Sequence, residues 1–241
     1  MSSEWPTAEQ VAQRLQVSVA TIWRYTRQGK LRALRVGNQY RYRSDEVLAQ
    51  LQETSGGTSS SFEQKRMTYR EFSLLPEQAD LQLIDGLLVK EPSPTYSHQA
   101  CLGSLHPLLC QHVLPNKSGK IILAPFDVVL SDDTVLQPDI LFVQRARAHL
   151  IKETGLFGAP DLGIEILSPS TRQYDEGRKR ELYLQHGCRE LWIIDVPAKT
   201  LWWHVADGPK WSVETMKPGA SFSSVTVERL HVSVAGVFDP T

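Results

Sequence analysis

The sequence is poor in cysteine, has no long apolar run and, from Ala20 to Arg43, contains no acidic side chain at all. Each absence removes a class of protein. Cys101, Cys110 and Cys188 are odd in number and far apart, with no CxxC and no paired Cys/His spacing, which argues against a structural zinc site or a disulfide framework. They read as packing residues. No stretch approaches the roughly 20 consecutive apolar residues that a membrane-spanning helix needs. The first residues also lack a basic segment followed by an apolar one. A membrane partner is therefore not expected, and a cytoplasmic location is.

What is present is an ordinary globular composition, with 41% hydrophobic residues and 22% charged ones, sufficient for a sizeable core. The formal net charge of −1 conceals an asymmetry. Residues 1–52 hold eight Lys/Arg against four Asp/Glu, a surplus of four positive charges, and the remaining residues are acidic by five. Charge segregated in this way points to nucleic-acid contact by the basic end.

Three segments follow from composition. Residues 53–65 open with a run of Gly, Ser and Thr that offers almost nothing to bury, as in a flexible linker. It separates a small domain, 1–52, from a larger one, 66–241.

In the small domain, Thr7 with Glu9-Gln10 marks a helix start, and Ala8, Val11, Ala12 and Leu15 form an apolar stripe at helical spacing. Ser18 is placed to cap a second helix, Val19 to Gln28, which Gly29 ends. Leu31–Val36 and Tyr40–Arg43 flank Gly37-Asn38, a pair suited to a tight hairpin turn, so a two-stranded wing is expected there. Ser44 then caps a closing helix. Ile22, Trp23 and Leu34 are expected in the core.

The acid-free stretch carries Arg24, Arg27, Lys30, Arg32, Arg35, Arg41 and Arg43, interleaved with Trp23, Tyr25, Tyr40 and Tyr42. Such a patch neutralises phosphates and releases counterions, so DNA is the expected partner. In a helix-turn-helix the second helix enters the major groove through its N-terminal residues, which makes Thr21 and Arg24 the expected base readers. Over residues 5–52 the pattern resembles the excisionase and MerR-like winged helix-turn-helix family.

In the larger domain, strand-like and helix-like patterns alternate. Asp85-Gly86 joins two short strands, a helix runs from Ser97 to about Val113, and strands follow to Leu167. A helix from Asp175 to His186 precedes two further strands and a β-rich tail. Trp192, Trp202, Trp203 and Trp211 read as sheet packing. His106, His112, His186 and His204 show no metal-ligand spacing.

Two acids interrupt apolar runs: Asp139 after Pro138, and Glu165 some 26 residues later before Leu167-Ser-Pro-Ser-Thr171. A carboxylate among apolar residues is costly unless it pairs, is hydrogen-bonded or binds a metal. Taken singly, each reads equally well as a structural acid. Together they suit a hard cation, Mg²⁺ or Mn²⁺, which two carboxylates can present to a phosphodiester. Lys179, on the following helix, can point back towards them. Asp127 either adds an oxygen to this set or is an exposed strand-end acid.

The series Pro-Asp139, Glu165-x-Leu-Ser-Pro-Ser-Thr171, Asp175-x3-Lys179-x3-Tyr183 and Glu190-Leu-Trp-Ile-Ile-Asp195 resembles the Uma-type putative restriction endonuclease family, a branch of the PD-(D/E)XK nucleases. The resemblance covers about residues 66–205. It implies an α/β (α+β) restriction-endonuclease-like core with a mixed central sheet, Asp139 and Glu165 as metal ligands, and Lys179 as the catalytic lysine. It also implies a role for His98 in Ser93-Pro-Thr-Tyr-Ser-His98. The family's early hairpin glutamate is here Gln82, an uncharged and weaker ligand. Two functions are therefore carried forward: a metal-dependent DNA endonuclease, and a non-catalytic DNA-binding regulator whose nuclease-like domain serves dimerisation or partner binding. A transposon-associated role is a third, resting on the excisionase resemblance alone. A homodimer is expected, since winged readers and restriction-like folds commonly pair on two-fold sites.

Overall fold

The computed structural model describes residues 5–15, 19–27, 31, 33–36, 39–43, 66–75, 80–168 and 172–238, and the chain divides into two compact units, Met1–Lys65 and Arg66–Thr241.

In the first unit Thr7 and Gln10 cap α1 (Ala8–Leu15) reciprocally. The Thr7 N–H donates to Gln10 Oε1 (2.9 Å) and the Gln10 N–H to Thr7 Oγ1 (3.3 Å). α2 spans Val19–Arg27, and β1 (Ala33–Val36) pairs antiparallel with β2 (Gln39–Tyr42) to form the wing. Ala8, Val11, Ala12, Ile22, Leu31 and Tyr42 are buried together. The Tyr42 N–H donates to the Pro6 carbonyl (3.0 Å), which ties the wing to the chain ahead of α1. Trp23 packs against this core, but Leu34 is 56% exposed, contrary to expectation. The register explains it: Leu34 stands opposite Arg41, so both lie on the face away from buried Tyr42. Ser18, Gly29, the Gly37-Asn38 turn, the closing helix from Ser44 and the linker lie outside the described residues.

The second unit contains two six-stranded mixed sheets where one was expected. The first joins β3 (Leu81–Ile84), β4 (Leu87–Lys90), β6 (Val128–Ser131), β7 (Thr134–Leu136), β9 (Ile151–Lys152) and β10 (Gly155–Phe157) in the order β4-β3-β7-β6-β10-β9. The second joins β5 (Gly119–Leu123), β8 (Ile140–Gln144), β11 (Leu162–Ile166), β12 (Glu190–Asp195), β13 (Thr200–Asp207) and β14 (Lys210–Met216) in the order β14-β13-β12-β11-β8-β5. β6 with β10 and β11 with β12 are parallel, and the other pairings are antiparallel.

α3 (Tyr69–Phe72) is a single turn capped by Thr68, and α4 (Tyr96–Asn116) buries Cys101, Leu105, Leu109 and Val113, spaced by four residues on one stripe. Each of its aliphatic members contributes about 1.5–3 kcal/mol relative to exposure. The stripe packs on Ile140 and Phe142 of β8, Leu162, Ile164 and Ile166 of β11, and Trp192 and Ile194 of β12. Side chains alternate across a strand, so Leu141 and Val143 face Val128 and Leu156 of the first sheet instead. Leu191 and Ile193 face Leu182 and Tyr183 of α5, which is built from Arg172–Tyr174, a π-helical turn at Asp175–Lys179, and Arg180–Gln185. The same alternation puts Glu165 on the α5 side of β11. Among the described residues no helix is long and apolar enough to cross a membrane.

Candidate active site

β8 runs antiparallel to β11, with Ile140 opposite Ile164. The residue just before β8 therefore lies beside the last residues of β11. That residue is Asp139, whose Oδ2 accepts the Ile166 N–H (2.6 Å), while His98 Nε2 lies 3.1 Å from Oδ1. The first turn of α4, capped by Thr95 Oγ1 on the His98 N–H (3.3 Å), delivers that histidine. Burial works against charge on His98, but the hydrogen bond and charge of Asp139 outweigh it and raise its pKa. His98 Nδ1 is buried without a hydrogen-bond partner among the described residues.

Glu165 is reached from α5. Lys179 Nζ lies 3.0 Å from Glu165 Oε1 and 2.7 Å from Asp175 Oδ1, and the Tyr183 hydroxyl donates to the same Glu165 oxygen (2.7 Å). Asp175, Lys179 and Tyr183 recur at intervals of four, which keeps them on the side of α5 that meets the sheet. Gly163, two residues before Glu165, makes room: a Cβ there would stand 3.3 Å from Leu191 and 3.6 Å from the Tyr183 ring. Desolvation pushes the Glu165 carboxyl up to about 8 in spite of Lys179, and Asp175 and Asp139 add to the rise. Lys179 is desolvated too, yet Asp175, Glu165 and Glu91 hold it firmly protonated.

Among the described residues Gln82 makes no hydrogen bond to Asp139 or Glu165. It is fully buried in β3, accepts the Gln137 N–H at Oε1 (3.2 Å) and donates from Nε2 to Glu91 Oε1. Glu91 stands 4.0 Å from Lys179. Asp127 is half-buried and accepts Gln137 Nε2 (2.7 Å), so it is neither an exposed acid nor part of the cleft lining.

Glu91, His98, Asp139, Glu165, Asp175 and Lys179 share one cleft of about 580 Å³. Asp80 and Lys90 line it too, so five carboxylates face two lysines and one histidine. Among the described residues no three His, Cys, Asp or Glu side chains form a ready-made metal cage. Mg²⁺ does not require one, because one or two carboxylates hold it and water or phosphate oxygens complete its shell. Among the described residues Glu165 is contacted by Tyr183 and Lys179 on Oε1, which leaves Oε2 for a cation. A divalent cation would also offset the acidic surplus of the cleft. The residues present fit such an ion.

In the first unit Thr21, Arg24 and Arg27 lie on α2, Arg35 on β1 and Arg41 on β2. Arg41 is half-exposed and Arg43 exposed, while Lys30 and Arg32 lie outside the described residues.

Comparison with known proteins decides the family. Residues 68–235 match the Uma2 family, described as a putative restriction endonuclease. The chain belongs to that family. Residues 7–55 match a helix-turn-helix domain. The chain is similar to the crystal structure of a putative nuclease belonging to DUF820 from Anabaena variabilis. The two are 25% identical with a TM-score of 0.63, over 71% of this chain and 97% of that one. No curated protein matches the chain. The Uma2 cleft adds Glu91, Asp175 and Tyr183 to the residues singled out from sequence. The last two stood in the Asp-x3-Lys-x3-Tyr spacing. Glu91 was legible from the hairpin: the Asp85-Gly86 turn pairs Gln82 with Val89, so Glu91, two residues on, is Gln82's diagonal neighbour on the same face.

Proposed function

We propose that this Uma2 protein is a DNA endonuclease that depends on Mg²⁺ or Mn²⁺ and is brought to its substrate by the N-terminal winged helix. The observation that carries the reading is the convergence of Asp139, from the residue before β8, Glu165 of β11 and Lys179 of α5 in one acidic cleft. Asp139 and Glu165 would hold the cation. When bound, such an ion lowers the pKa of a water and stabilises charge on a phosphate.

The chain's own groups do the rest. Lys179 is held protonated, so it acts as a fixed positive charge towards a phosphate oxygen rather than as a base. The Ile166 N–H and His98 orient the Asp139 carboxylate from either side. Tyr183 and Lys179 hold Glu165 by Oε1 and leave Oε2 for the cation. Thr21 and Arg24 on α2 are the proposed base readers, and Arg27, Lys30, Arg32, Arg35, Arg41 and Arg43 the proposed phosphate contacts. The acidic body needs this basic neighbour to approach DNA.

Gln82 favours the second reading, a DNA-binding regulator that does not cut. The two separate in one assay: full-length protein with supercoiled, linear and single-stranded DNA, in Mg²⁺, in Mn²⁺ and in chelator. The endonuclease reading expects cleavage of at least one form that chelator abolishes. Binding without cleavage in either metal contradicts it and leaves the regulator.

A further inference from the structure

Gln82 is oriented without ambiguity. The Gln137 backbone N–H can only donate, so Gln82 must present its carbonyl oxygen there and its NH₂ group to Glu91. Gln137 is itself anchored by Asp127 through its side chain. A polar chain, buried at Gln82 and Gln137, thus runs Asp127–Gln137–Gln82–Glu91 and ends at the cleft. Position 82 favours an amide here, because a carboxylate would face the Glu91 carboxylate with no cation in contact.

Glu91 also differs from its acidic neighbours. Asp175 and Glu165 meet Lys179 at 2.7 and 3.0 Å and Asp139 meets His98 at 3.1 Å, whereas Glu91 stands 4.0 Å from the lysine and its short contact is to a neutral amide. Its charge is the least compensated of the four, although the group is only 26% exposed.

From this we infer that Glu91 supplies the third negative charge of the cation site, and that Gln82 is the positioning residue that holds it there. Gln82 is then not a lost ligand but half of an amide–carboxylate pair whose acidic half has moved to the neighbouring strand. The inference rests on the endonuclease reading of the cleft.

The test is Mn²⁺ binding to the full-length protein without DNA, by calorimetry and by the electron paramagnetic resonance of free Mn²⁺. The set comprises wild type, Asp139→Asn, Glu91→Gln, Gln82→Glu and the exchange Gln82→Glu/Glu91→Gln, with circular dichroism as the check on folding. Loss of a supporting group around a metal typically weakens binding by about 10- to 100-fold, and that loss is expected for Glu91→Gln. The exchange restores an acid and an amide in contact and is expected to regain most of the affinity. Gln82→Glu alone sets two carboxylates together, so its melting temperature should fall without metal and recover with it.

If Asp139→Asn abolishes binding while Glu91→Gln binds as wild type does, the inference fails and the endonuclease reading stands. If Glu91→Gln binds weakly and the exchange does no better, the partnership with Gln82 is wrong. If wild type binds no Mn²⁺, the reading beneath both fails. Should Glu91→Gln not fold, the exchange variant answers the same question, and its failure to bind overturns the proposal.

Discussion

Lys179 and Glu165 lie 3.0 Å apart, both almost fully buried, with Asp175 on the far side of the ammonium at 2.7 Å. Breaking a buried pair by removing one partner typically costs about 3–5 kcal/mol, because it strands the other charge. Lys179→Met should lower stability by that order in urea titrations without metal. Mn²⁺ should recover part of the loss, since a cation can stand in for the missing charge, but cleavage should not return. A variant as stable as wild type would show that Glu165 and Asp175 are not held by this lysine.

Glu190 is fully buried, and among the described residues it forms no ion pair. Its Oε1 accepts the indole N–H groups of Trp192 (2.9 Å) and Trp203 (2.8 Å). Its Oε2 accepts the Ser224 and Thr226 hydroxyls and the N–H groups of Val225 and Thr226. It pins the C-terminal tail to β12 and β13. Glu190→Gln turns an NH₂ group towards donors and should cost roughly 3 kcal/mol, given about 1.5–3 kcal/mol for each hydrogen bond to a charged group. Thermal denaturation followed by tryptophan fluorescence reads this, and Mn²⁺ affinity of the folded protein should not change.

His204 gives the fold an acid limit. It is 2% exposed, with Nδ1 3.1 Å from the Trp202 carbonyl, and desolvation lowers its pKa to about 4. The unfolded chain takes up this proton near the ordinary histidine value of about 6.5, and the folded one does not until about 4. Between those values the unfolded state binds more protons, so stability falls as pH falls, by up to roughly 3 kcal/mol. His204→Phe should flatten the slope of unfolding free energy between pH 6.5 and 4. An unchanged slope would assign the acid sensitivity to other groups.

The fold was legible in sequence wherever periodicity was long enough to read. The stripe from Cys101 to Val113 and the alternation through β11 and β12 carry most of the second unit. β7, β9 and β10 were missed because two or three residues show no period of two. Leu34 was misplaced because apolar character does not say which face of a wing is covered. In the site, Asp139 and Glu165 stood out as charges within apolar patterns and Lys179 through the Asp-x3-Lys-x3-Tyr series, and the structure brings the three together. Glu91 did not stand out, since Lys90-Glu91-Pro92 reads as an ordinary polar strand end. Only the cross-strand register of the hairpin, and the buried amide of Gln82, reveal where it points.

Asp139 joins the first turn of α4 to the end of β11 and is the proposed cation ligand on which cleavage depends. The most direct measurement compares wild type with Asp139→Ala on supercoiled DNA in Mn²⁺, with DNA binding measured in parallel. The account predicts that wild type nicks or linearises the DNA, and that the variant binds it equally well and leaves it intact. Equal cleavage by both, or none by either, would contradict it.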